Sequence, residues 1–190
     1  KGVGGETSSQ IKTRLITTST QTKEKPTIIW AGRNNYTDAA TVLSDIADMI
    51  ADIGHENYLV LSVINGEYAS EYQGESNYIT MIGLNDDLSH AYGGKYVDVR
   101  SYLVSQYNPS IPQDVIDFGH DIVPSSLRSD NIHLTAVGYE LVANYIYDNY
   151  IDTLVGSELQ NSVMPSNLPS IFASPLEIGM KNPNIGNFTE

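Results

Sequence analysis

Two apolar rhythms divide the chain. Residues 27–31, Thr-Ile-Ile-Trp-Ala, form a short continuous apolar run after Pro26, which predicts a buried strand. Val42, Leu43, Ile46, Met49, Ile50 and Ile53 then recur at helical spacing. They predict a helix over 38–53, with Thr37 as N-cap and Gly54 as its stop. A second apolar run at 58–64 reads as a strand closed by Asn65-Gly66, and 76–92 as a helix stopped by Gly93-Gly94. Residues 96–99 give a third strand and 101–107 a short helix. Residues 108–128, with Pro109, Pro112 and Pro124, read as a loop. A last helix is expected over 135–151, with Val137, Leu141 and Tyr145 along one face.

Strands alternating with helices predict an α/β domain whose parallel sheet is covered on both faces. In such sheets ligands sit at the carboxyl ends of the strands, and Asn34 follows the first strand at that end. The periodicity fails from about Gly156, and residues 161–190 hold Pro165, Pro169, Pro175 and Pro183. The chain is therefore divided into a domain over 1–155 and an extended strap or linker over 156–190, which Phe172 and Leu176 would anchor. There is no internal repeat.

Charge and composition narrow the chemistry. A net charge of −13 opposes binding to a nucleic acid backbone. Six of the ten basic residues are Lys1, Lys12, Arg14, Lys23, Lys25 and Arg33, so the remainder is more acidic still. No apolar run is long enough for a membrane span, and no signal peptide opens the sequence. The absence of Cys excludes disulfides and thiolate zinc sites and leaves the compartment open. Thirteen Tyr and several Asn-rich stretches give a flavour common in secreted and viral glycan-handling proteins.

Three short blocks carry candidate chemistry. Ser129-Asp130-Asn131-Ile132-His133-Leu134-Thr135 places an acid and an imidazole three residues apart, before an amphipathic helix. A histidine there can take a proton from a hydroxyl nucleophile, with the carboxylate fixing its tautomer. Upstream lie Gly2-Val3-Gly4-Gly5-Glu6-Thr7-Ser8-Ser9-Gln10 and Ile28-Ile29-Trp30-Ala31-Gly32-Arg33-Asn34-Asn35. Taken in order over residues 2–151, the blocks resemble those of the SGNH (GDSL-type) hydrolases. The resemblance implies a flavodoxin-like three-layer α/β/α sandwich. It implies that Gly5 and Asn34 are oxyanion donors, Asp130 the acid and His133 the base. Position 35 is Asn where the family usually has Asp; an Asn there would still cap the following helix.

The family's nucleophile motif, G-D-S, is absent. The family places it upstream, on a central strand beside the one that carries the Asn. The resemblance therefore implies that the first strand or strands are missing, leaving unpaired apolar edges. A Ser would come from an upstream segment or cleaved fragment. Ser8, Ser9, Ser125, Ser126 and Ser129 lie nearest the motifs, and none occupies a strand-to-helix elbow. Arg33 could reach an anionic or sugar substrate, or be an ordinary loop arginine. His120-Asp121 with Asp130 and His133 matches no strong zinc pattern, and no phosphate-cradling loop supports a flavin, so neither metal nor cofactor is expected.

Two readings follow. One is a carboxyl-ester hydrolase removing acetyl groups from a polysaccharide or acting on a small ester. The other is a non-catalytic glycan-binding or structural module of an oligomeric tail fibre, spike or adhesin. Either fits a secreted or virion-associated protein, which could be a homo-oligomer.

Overall fold

The computed structural model describes residues 2–155, and the expected strap over 156–190 lies outside them. In chain order the elements are α1 (Ser8–Ile16), the single turn α2 (Thr20–Lys23), β1 (Thr27–Ile29), α3 (Ala39–Ile53), β2 (Tyr58–Leu61), α4 (Ser76–Tyr92), β3 (Tyr96–Val97), α5 (Val99–Ser105), α6 (Pro112–Gly119) and α7 (Ala136–Val155). Among the described residues the strands form one parallel sheet in the order β1-β2-β3, with Thr27 opposite Tyr58 and Val60 opposite Tyr96. The sheet is continuous, and β1 forms its margin.

Side chains alternate across the sheet, so the apolar run of β2 feeds two cores. Tyr58 and Val60 join Ile29 and the inner faces of α3 and α4, including Ile46, Met49, Met81 and Leu88. Leu59 and Leu61 join Val97, Leu103 of α5, and Val142 and Ile146 of α7 on the opposite face. Burying each such Leu or Ile contributes roughly 1.5–3 kcal/mol relative to exposure. This burial on both faces makes the strand read as a continuous apolar run.

Side-chain caps set several boundaries away from their expected places. Helix α3 is capped by Asp38, whose carboxylate accepts from the Thr41 N–H at 3.2 Å, and not by Thr37. Asp98 likewise accepts from the Ser101 N–H at 3.0 Å, turning Val99 into helix α5 instead of the end of a strand. Strand β2 stops at Leu61 because Asn85 takes over pairing at Val63: its Oδ1 accepts from the Val63 N–H at 2.8 Å and its Nδ2 donates to the carbonyl at 2.9 Å.

The expected loop over 108–128 contains α6, started by Pro112 in its first turn. Its pattern is inverted. Asp114 and Asp117 are buried, while Val115, Ile116 and Phe118 are about half exposed. The buried acids are satisfied by Ser126 Oγ at 2.6 Å from Asp114 and by the Ser125 N–H at 2.6 Å from Asp117. A helix that turns its acids inward gives no apolar periodicity to read.

Candidate functional site

The glycine turn after β1 delivers one wall of the site. Gly32 has φ 104°, and a Cβ there would lie 2.8 Å from Val42 Cγ1, so only glycine fits this left-handed turn against α3. The turn places Asn34 at the carboxyl end of the sheet, where its Nδ2 donates to the Glu6 carbonyl at 2.8 Å. That bond uses one of the two amide hydrogens and leaves the other. Gly5 sits in the adjoining turn at φ 78°. Among the described residues its backbone N–H has no hydrogen-bond partner. Asn35 does not cap α3. Its Oδ1 accepts from the Ser8 N–H at 2.9 Å and so caps α1, while its Nδ2 donates to Ser8 Oγ at 2.9 Å.

The opposite wall is a pinched hairpin. Arg128 and Leu134 form an antiparallel bridge, the Ser129 N–H donates to the His133 carbonyl at 2.7 Å, and Thr135 caps α7 through Gly138 N–H at 3.2 Å. Within this loop Asp130 Oδ1 accepts the backbone N–H groups of Ile132 at 2.9 Å and His133 at 2.8 Å. Its Oδ2 lies 2.7 Å from His133 Nδ1. Among the described residues His133 Nε2 has no hydrogen-bond partner, and the side chain is 61% exposed.

The His133 and Ile132 backbone donors and the imidazole lower the Asp130 pKa to about 2. A depressed acid stabilises the fold above its unfolded range and loses that contribution as pH falls through the folded value. Titration of the Asp130 carboxyl carbon by NMR is therefore expected to give a midpoint near 2. A midpoint near the ordinary ~3.9 would mean the loop does not hold this carboxylate.

Asn34, Gly5 and His133 line the same open groove of about 850 Å³. Beneath the hairpin, buried Arg128 donates from Nε to the Val123 carbonyl at 2.7 Å, from Nη1 to Glu67 at 2.9 Å and the Asp130 carbonyl at 3.2 Å, and from Nη2 to Asp117 at 3.0 Å. The hairpin also rests on Gly66, where a Cβ would lie 2.6 Å from the Asn131 carbonyl oxygen.

Comparison with known proteins adds one relative. A tail spike protein of Salmonella phage epsilon15 is 31% identical to this chain over 111 residues. The match covers 56% of the chain and 10% of that protein, so the chain spans about a tenth of the curated relative's length. No protein-family model matches the chain.

The remaining candidates have structural partners. Arg33 faces inward: its Nη2 lies 3.0 Å from both oxygens of buried Glu71, which also accepts from Tyr36 Oη and the Gly66 N–H. Ser8 and Ser9 donate to Asp45 at 2.6 and 2.7 Å, Ser125 and Ser126 bind Asp114, and Ser129 Oγ donates to the His133 carbonyl at 3.2 Å. Among the described residues no His, Asp and Glu cluster has metal-binding geometry.

Sequence reading missed Arg128, Asp117, Asp114 and Glu71. The adjacency of Arg128 to the D-x-x-H block and the three-residue spacing of Asp114 and Asp117 were the available signals.

Proposed function

We propose that this chain is a module of a virion-associated, tail-spike-like protein that acts on cell-surface glycan, and that its groove carries an ester-hydrolysing site. The tail spike relative supports the first part. The observation that carries the second is the 2.7 Å contact of His133 Nδ1 with Asp130, with Nε2 left open beside a groove shared with Asn34 and Gly5.

In this reading a serine from an upstream segment attacks an acetyl carbonyl. The Oγ–C bond forms as the Oγ proton passes to His133 Nε2, and the carbonyl electron pair moves onto oxygen. The free amide hydrogen of Asn34 and the Gly5 N–H stabilise that oxyanion. The sugar alcohol leaves with the proton from His133. Water then cleaves the acyl-enzyme by the same route, releasing acetate.

The test is acetate release from an O-acetylated polysaccharide by the whole protein that contains this chain. Asn34→Ala is expected to slow it about 10²–10³-fold, the usual loss for one oxyanion donor. The second reading, a glycan-binding module without turnover, is favoured by the engagement of all five motif-adjacent serines elsewhere. It would be established by glycan binding with no acetate released.

A further inference from the structure

We infer that a second pocket, at the β3 margin of the sheet, binds a neutral sugar ring through Arg100, Asp98 and Asp86. The pocket has a volume of about 360 Å³ and lies between α4 and the start of α5. That is the low end of the ~300–1,000 Å³ range of small-molecule sites, with room for one small ligand. It shares no lining residue with the groove of Asn34, Gly5 and His133.

The inference begins with Arg100, whose side chain is only 5% exposed. Its Nε donates to Asn65 Oδ1 at 3.0 Å, and its Nη2 donates to the carbonyl and the carboxylate of Asp121 at 2.6 and 2.5 Å. Those bonds leave the two hydrogens of Nη1, which have no partner among the described residues, although solvent reaches that nitrogen. The rest of the side chain is buried, so they open into the pocket that Arg100 lines. A guanidinium nitrogen so placed calls for an acceptor. Asp98 makes the opposite demand. Its Oδ1 accepts from the Ser101 N–H at 3.0 Å, while its Oδ2 has no hydrogen-bond partner among the described residues. The exposed Asp86 carboxylate likewise accepts no hydrogen bond from them.

The pocket therefore presents fixed donors and fixed acceptors together. A hydroxyl donates and accepts at once, so neighbouring hydroxyls on one ring satisfy both. An anion would meet Asp86 and Asp98. An ammonium would leave Arg100 Nη1 without an acceptor and set a like charge beside it. The ligand is thus neutral and rich in hydroxyls. Tyr78 and Tyr96, which also line the pocket, supply flat apolar surface for the C–H face of a sugar. Tyr78 is held in place, its hydroxyl donating to Asp121 Oδ2 at 2.6 Å and its ring centroid 5.3 Å from the Arg100 guanidinium. That the sugar is a residue of a cell-surface glycan rests on the proposed function; the preference for a neutral sugar does not.

The test titrates methyl glycosides of glucose, galactose and mannose into the isotope-labelled full chain, followed by NMR. At least one is expected to shift the Arg100 and Ser101 amides saturably, with a Kd on the order of 1 mM. The methyl glycosides of glucuronic acid and of glucosamine, one anionic and one cationic, should bind at least about tenfold more weakly. Asp98→Asn keeps an oxygen for the Ser101 N–H and is still a good helix cap, but it sets a donor where Oδ2 stood. It is expected to weaken binding at least about tenfold. Should that variant fail to fold, Asp86→Asn, at an exposed position, is expected to weaken binding at least about threefold. In the whole protein, calorimetry of parent and variant should show the same difference. No saturable shift with any of the three sugars, shifts confined to Asn34 and His133, undiminished binding by a folded variant, or a charged glycoside binding as tightly as the neutral ones would each overturn the inference. Binding of a free hexose but not of its methyl glycoside would overturn it too, since a glycan residue has its anomeric oxygen linked. Acetate release without these shifts would sink this inference alone; the shifts without acetate release would count against the hydrolase reading and leave the sugar pocket standing.

Discussion

In the whole protein, His133→Ala is expected to lower acetate release by about 10⁴–10⁶-fold while leaving the circular dichroism spectrum unchanged. The size follows from losing the general base of the proposed site, since an unassisted serine hydroxyl is a poor nucleophile near neutral pH. The intact fold follows from exposure: the imidazole is 61% accessible and pairs with Asp130, itself 55% accessible. The backbone N–H of residue 133 still reaches Asp130 Oδ1 in the variant, so the hairpin keeps its shape. Asp130→Asn tests a different point. It keeps an oxygen for the backbone donors but removes the charge that stabilises an imidazolium, and a loss of about 10⁴-fold is expected. Equal acetate release from the parent and His133→Ala would refute the catalytic role.

Arg128→Ala is expected to destabilise the domain by about 3–5 kcal/mol, the usual cost of breaking a buried ion pair from one side. The Arg128 and Asp117 side chains are 2% and 1% exposed, and the variant leaves the Asp117 carboxylate buried without its cation. For a domain of this size the expected fall in Tm is about 2–4 °C per kcal/mol, so roughly 10 °C in all. Arg128→Lys should recover part of the loss, because one ammonium cannot span Val123, Glu67, Asp130 and Asp117 together. By contrast, removing the surface pair of Lys95 and Glu56 should leave stability almost unchanged, because solvent screens so exposed a carboxylate. Thermal and urea unfolding of the three variants distinguish these outcomes; an Arg128→Ala protein as stable as the parent would mean the pair is not needed.

What could be read from the sequence was the part that apolar spacing encodes. Helices α3 and α4 lie where their periodicity or glycine stops put them, and the three strands lie within their expected runs. The D-x-x-H spacing proved compatible with a hydrogen-bonded pair, because a four-residue turn brings positions 130 and 133 together. Polar burial was illegible. Helix α6 hides its acids and shows its apolar residues, so hydropathy gave it the profile of a loop. Arg33 looked available because its partner, Glu71, is remote in sequence and belongs to a turn without a motif. The exchange of Thr37 for Asp38 as N-cap is a one-residue shift of a local bond to the Thr41 N–H, whereas the exchange of α1 for α3 as the helix that Asn35 caps turned on a tertiary contact with Ser8 that spacing does not encode.

The hairpin over 128–134 acts as a ruler. Both ends are pinned, by the Arg128–Leu134 bridge and by the Thr135 N–H on the Leu127 carbonyl at 2.9 Å. Its middle is pressed against Gly66 and tied to the Glu67 N–H through the Asn131 carbonyl at 2.8 Å. Between these fixed points there is no slack for one residue more or fewer. In diverging copies of this gene, side-chain identity can drift at the outward-facing positions of the loop, whereas insertion or deletion would swing the imidazole off the groove. Evolutionary change here should therefore be recorded in letters and never in length.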